Sequence, residues 1–128
     1  MHGYALEILK DVISIPQANI LDVGVGSGYL VACIAKMNPT AKVYGIDVVP
    51  NLVEAAAKNV NKQDPELLKS KQIEIFFGDG WKGIPNFRFN AIHVGAAAAE
   101  LPKSLLQQLH IGGILVIPVG REVIIYTY

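Results

Sequence analysis

Three glycines at alternate positions follow an acidic residue in the run Leu21-Asp22-Val23-Gly24-Val25-Gly26-Ser27-Gly28-Tyr29. Glycine makes tight turns and leaves no Cβ in the way of an approaching ligand. A helix starting just beyond offers free N–H groups and a positive dipole end, which suit a carboxylate or a phosphate. A plain strand-to-helix turn needs fewer glycines, so the run reads as a binding loop. Asp47 follows Val43-Tyr44-Gly45-Ile46. An ionised carboxylate only accepts hydrogen bonds and has two oxygens, so it suits neighbouring hydroxyl groups. The competing duty for Asp47 is a helix cap ahead of Pro50. Gly78-Asp79-Gly80 makes a good β-turn by itself. Ala91-Ile92-His93-Val94-Gly95-Ala96-Ala97-Ala98 ends in small residues that leave room for a ligand.

These residues need elements to hold them. Apolar residues at helical spacing make 3–14 a helix that Pro16 stops. The pattern predicts strands over 19–23, 42–46, 72–77, 90–94, 114–119 and 123–128. Helices are expected over 28–37, over 52–61 after Pro50, and from Pro102 through Leu109, with Gly112-Gly113 ending the last. Asp64-Pro65 reads as a chain break. Alternating strands and helices imply right-handed crossovers and an α/β, Rossmann-like domain, mostly a parallel sheet with helices on both faces. Each motif then falls at the carboxyl end of a strand, where ligands sit in open α/β sheets. His93 reads as a structural strand residue with no acidic partner near it in sequence. Cys33 reads as a buried core thiol, and Trp81 as a packing residue beside the third motif.

The 128 residues suffice for one domain with a real core, 1–128. Eleven basic and eleven acidic side chains balance, with no basic run, so no nucleic-acid partner is expected. No apolar stretch approaches the ~20 residues of a membrane span, and the start lacks the pattern of a signal peptide. A single cysteine cannot pair within the chain, which fits a reducing compartment, the cytoplasm. No metal is expected.

The acidic-Gly-x-Gly-x-Gly form departs from the dinucleotide fingerprint Gly-x-Gly-x-x-Gly. It resembles motif I of the class I methyltransferases, with Asp47 and Gly78-Asp79-Gly80 following in the same order. The likeness narrows with Met1-His2-Gly3-Tyr4-Ala5-Leu6-Glu7, with Asn59 to Leu68, with the His93 segment and with Gly112 to Gly120. These resemble the protein-L-isoaspartate O-methyltransferases over nearly the whole chain.

That resemblance implies S-adenosyl-L-methionine as cofactor and S-adenosyl-L-homocysteine as product. It implies a cofactor site made of His2, Asp22, Gly24, Gly26, Ser27, Gly28, Asp47, Val48, Asp79 and Gly80. The loop would pack on the amino-acid end of the cofactor, Asp47 on the ribose, and Asp79 with a neighbouring N–H on adenine. The implied partners are isoaspartyl-containing proteins and peptides, the implied reaction is methylation of their free carboxylate in protein repair, and the implied state is a monomer. The family's active-site serine lies in a segment upstream of the position matching Met1, so the catalytic residue is unassigned and the chain corresponds to a core fragment. Val25 stands where relatives carry a small hydroxyl residue, and Val48 where they often carry a polar one; both are expected to weaken cofactor binding slightly. Another class I methyltransferase and a non-catalytic cofactor- or partner-binding core stay open as alternatives. The glycine spacing disfavours a nicotinamide dehydrogenase.

Overall fold

A computed structural model describes residues 2–95, 100, 102–119 and 121–128, the side chains of residues 2–6 apart. The element order is α1 (His2–Ile13), β1 (Asn19–Val23), α2 (Tyr29–Met37), β2 (Lys42–Asp47), α3 (Pro50–Gln63), α4 (Pro65–Lys69), β3 (Ile73–Phe77), a 3₁₀ turn (Gly80–Lys82), β4 (Phe89–Val94), α5 (Lys103–Leu106), β5 (Leu109–Val119) and β6 (Glu122–Thr127). One six-stranded sheet runs in the order β3-β2-β1-β4-β5-β6, parallel except for β6. This is the α/β, mostly parallel architecture expected. The order reverses at β1, so a crevice opens beyond the ends of β1 and β4.

Strand alternation divides the core. Ile20, Val43, Ile73 and Ala91 face Leu9, Ile13, Leu30, Ile34 and Val60 of α1, α2 and α3. Leu21, Tyr44, Ile46, Ile92 and Leu115 face the other way, with Phe89 and Leu105. Burying one such Ile or Leu contributes about 1.5–3 kcal/mol, against ~0–1 kcal/mol for an exposed ion pair. These two layers therefore hold the motif-bearing strand ends, while Lys10–Glu7 and Lys58–Glu54 on the surface matter little.

Three expectations need correction. The helix from Pro102 stops at Leu106, and Leu109 already pairs with Phe89 as the first residue of β5. Gly112-Gly113 is accordingly an irregularity inside a strand and not a helix stop. Gly112 has φ +84°, and a Cβ on Gly113 would come within 2.8 Å of the His110 carbonyl and 3.0 Å of that of Phe89. Asp64-Pro65 does break α3, but Pro65 at once opens the short helix α4, since proline at a first helical position loses no hydrogen bond. Cys33 is only half-buried, because α2 turns it toward α3 and not toward the sheet.

Candidate functional site

The motif residues meet at the carboxyl ends of β1 and β2 and in the turns after β3 and β4. After β1 the chain turns sharply, with φ +84° at Gly24, +55° at Gly26 and +85° at Gly28. All lie in the left-handed region, where a side chain is strained. The Gly24 N–H donates to the Ile46 carbonyl at 2.8 Å, and the Gly95 N–H to the Val23 carbonyl at 2.8 Å. The loop is thus held to β2 on one side and to the end of β4 on the other.

A cavity of about 420 Å³ opens here, lined by Val23, Gly24, Gly26, Ile46, Asp47, Val48, Val49, Leu52, Asp79, Gly80, Trp81 and Gly95. Two carboxylates reach it, and each is pre-set by its own backbone. Asp47 Oδ1 accepts the Val49 N–H at 3.0 Å, and Asp79 Oδ1 accepts the Trp81 N–H at 3.0 Å. In both turns the bond spans two residues and ties down one oxygen, leaving the other as an acceptor for a ligand. The cap of α3 is Val49, with Pro50 at its first position, so Asp47 is not the helix cap.

The glycines of the site divide by what a side chain would meet. Beside Gly26 the space is open: a Cβ there finds no atom within 4 Å. On Gly80 it would collide with Val23 Cγ1, so the third motif lies flush on β1. On Gly28 it would meet the Ala56 carbonyl at 2.9 Å and Val60 Cγ2 at 3.0 Å. The role of Gly28 in this geometry is the close approach of α2 to α3.

Of the sequence-derived site residues, Gly24, Gly26, Asp47, Val48, Asp79 and Gly80 share the cavity. Ser27 and Gly28 line a neighbouring groove of about 330 Å³ between α2 and α3, where the Asn59 side-chain amide donates to the Ser27 carbonyl at 3.1 Å. Asp22 lies below the cavity, its carboxylate 2.8 Å from His93 Nδ1. His2 belongs to α1, but its side chain is outside the described residues. Ala96, Ala97 and Ala98 lie outside them too. Val25 is not in the lining; it is buried, with Cγ1 in the space a Cβ on Gly45 would take. The small weakening foreseen from Val25 therefore finds no direct contact to act through, whereas Val48 is 66 % exposed at the rim.

Sequence reasoning passed over the apolar wall made by Val49 and Leu52. Its signal was present: apolar side chains on the first turn of a helix that begins at a binding strand's end. It also missed the acidic partner of His93, which is 71 residues away in sequence. In the α2–α3 groove Lys36 Nζ lies 2.8 Å from Asp64 Oδ2, and this bond raises the lysine pKa above its usual value. The hydroxyl of Tyr29 is likewise raised, first by its hydrogen bond with Cys33. A larger groove of about 1130 Å³ opens elsewhere, beside Lys82, Phe87, Arg88 and Tyr126, but no motif glycine or paired-turn carboxylate lines it.

Residues 1–126 match the model of the protein-L-isoaspartate(D-aspartate) O-methyltransferase family. The chain belongs to that family. It is 46 % identical over 123 residues to the protein-L-isoaspartate O-methyltransferase of Triticum aestivum, covering 94 % of this chain and 53 % of that protein. It is 44 % identical to the corresponding enzyme of Caenorhabditis elegans, covering 94 % of this chain and 54 % of that one. The chain thus spans about half the length of the curated relatives it matches. Among solved structures, a Plasmodium falciparum beta-aspartate methyltransferase in complex with S-adenosyl-L-homocysteine superposes with a TM-score of 0.87. Identity there is 31 %, over 100 % of this chain and 69 % of that one. A Thermotoga maritima S-adenosylmethionine-dependent O-methyltransferase, 19 % identical with a TM-score of 0.72, shares the fold.

Proposed function

We propose that this chain binds S-adenosyl-L-methionine in the cavity at the ends of β1 and β2, and forms the cofactor-binding part of an enzyme that methylates the free carboxylate of L-isoaspartyl residues in damaged proteins. One observation carries the reading: Asp47 and Asp79, each with one oxygen pinned by its own turn, line the same cavity as Gly24 and the open face of Gly26. The family membership gives the chemistry.

When bound, the cofactor supplies an electrophilic sulfonium methyl group. The chain's residues bind and orient. The free oxygen of Asp47 suits the ribose hydroxyls, and that of Asp79 suits the exocyclic amine of adenine, with the Gly80 backbone beside it. Val48, Val49, Leu52 and Trp81 give the base an apolar wall. Gly24 and Gly26 leave room for the amino-acid end.

A carboxylate acceptor is already ionised at neutral pH. The reaction therefore needs no strong base, and the protein's work is to align the acceptor oxygen with the methyl group and keep water out. The product cofactor is S-adenosyl-L-homocysteine. In the same reading 1–128 is a single domain acting as a monomer in the cytoplasm on isoaspartyl proteins and peptides. No helix of the described residues is long and apolar enough to cross a membrane.

The test is transfer of a labelled methyl group to two matched peptides, one isoaspartyl and one aspartyl, beside calorimetry with S-adenosyl-L-homocysteine. Transfer to the isoaspartyl peptide alone establishes the reading. Transfer to both sinks the substrate assignment, and absence of binding sinks the cofactor site.

A further inference from the structure

Asp22 and His93 are register partners on the adjacent parallel strands β1 and β4. Their side chains point to the same face, are 3 % exposed or less, and meet at 2.8 Å. On its other side the register partner of Asp22 is Gly45, which has no side chain. Opposite an ionised carboxylate, which only accepts, the ring donates from Nδ1.

Stability does not explain this pair. The same strands are filled around it by fully buried Ile20, Leu21, Ile92 and Ala91. Apolar residues in place of a buried ionisable pair are often neutral or stabilising, whereas polar pairs of this kind can fix geometry. The location shows which geometry. Two residues on from Asp22 and His93, on the same face, are Gly24 and Gly95, and both line the cavity. The Gly95 N–H bonds to the Val23 carbonyl at 2.8 Å. A Cβ on Gly95 would lie 3.2 Å from the Gly24 carbonyl and 3.8 Å from His93 Cε1. The imidazole ring is thus packed directly under the place where the glycine loop and the end of β4 meet.

We infer that His93 and Asp22 are positioning residues: their bond clamps β1 to β4 one step below the cavity and so sets the spacing of Gly24 and Gly95, its floor. Neither side chain is among those that line the cavity. The clamp joins the loop that binds cofactor to the segment after β4, so it acts on both sides of the cavity. The consequence for affinity rests on the proposed cofactor site; the clamp itself does not.

The experiment compares His93→Asn with His93→Gln in the full chain. An asparagine amide nitrogen falls near the position of Nδ1 and can still donate to Asp22, whereas that of glutamine falls near Nε2. Amide exchange by NMR reads the floor at Gly95 and uses Val43, bonded to the Gln72 carbonyl, as the reference. For His93→Asn the Gly95 rate should stay within roughly threefold of wild type; for His93→Gln it should rise at least about tenfold with Val43 unchanged. Affinity for S-adenosyl-L-homocysteine should follow, within roughly threefold for His93→Asn and at least about tenfold weaker for His93→Gln.

Equal Gly95 rates in the two variants, or Gly95 and Val43 accelerating together, would overturn the inference. A second variant, Asp22→Val with His93→Leu, should fold as stably as wild type in urea yet still exchange faster at Gly95; wild-type protection there would also overturn it. If the wild type binds no S-adenosyl-L-homocysteine, the functional reading fails, and the exchange rates still decide the clamp.

Discussion

Val25 Cγ1 occupies the space that a Cβ on Gly45 would fill. The residue in the middle of the glycine loop is thereby locked onto the centre of β2, and the loop's course depends on a glycine twenty positions away in the next strand. Gly45→Ala forces Val25 off its seat and should destabilise the chain by about 1–3 kcal/mol, the usual cost of overpacking. Val25→Ala alone leaves a void. The double variant should recover most of the loss, since the new methyl replaces the old one. Urea unfolding of the four proteins gives the coupling; strictly additive losses would mean that the two residues do not share this space.

Asp47→Ala should weaken S-adenosyl-L-homocysteine binding by about 1.5–3 kcal/mol, the range for hydrogen bonds to a charged group. Asp47→Asn keeps an acceptor for the Val49 N–H and should lose less. Calorimetry reads both, and an unchanged affinity for Asp47→Ala would remove Asp47 from the site.

Gly26 and Gly28 look alike in sequence, but their variants should fail in different ways. Gly26→Val puts a side chain into open space beside the cavity and should abolish ligand binding while the fold persists. Gly28→Ala meets the Ala56 backbone at a φ of +85°. Left-handed strain and overpacking together should cost about 2–4 kcal/mol of stability. Thermal melts beside calorimetry separate the two. Retained binding in Gly26→Val would show that the cofactor does not pass this glycine.

The strand ends were legible because each motif is local: a β-rich run followed at once by Gly-rich or acidic residues. Asn19 to Val23 was bounded correctly for that reason. Asp47 and Asp79 were likewise legible, because a strand-end position puts a side chain at the crevice whatever the rest of the fold does. The misreadings come from contacts that sequence spacing does not carry. Whether Leu109 ends a helix or begins a strand is decided by Phe89 across the sheet. The close approach of Gly28 to α3 shows only once α3 is placed against it, and the partner of His93 becomes visible only once β1 and β4 are neighbours. Periodicity reports which face of an element is apolar. It does not report which residue of another element stands opposite.

The Lys36–Asp64 bond ties α2 to the junction of α3 and α4, and its contribution has a definite pH range. The lysine's folded pKa lies above its ordinary 10.5, so the contribution is complete below that value and is lost as pH rises through the folded pKa. Lys36 is largely exposed and Asp64 partly so, and solvent screens the bond and keeps the effect small. Lys36→Met should therefore lower Tm slightly at pH 8, and the difference from wild type should vanish in strongly alkaline buffer. Salt at about 1 M, where the Debye length falls to ~3 Å, should also erase most of it at pH 8. A gap between wild type and variant that persists unchanged at high pH would show that Lys36 stabilises the helix junction through its methylene chain and not through its charge.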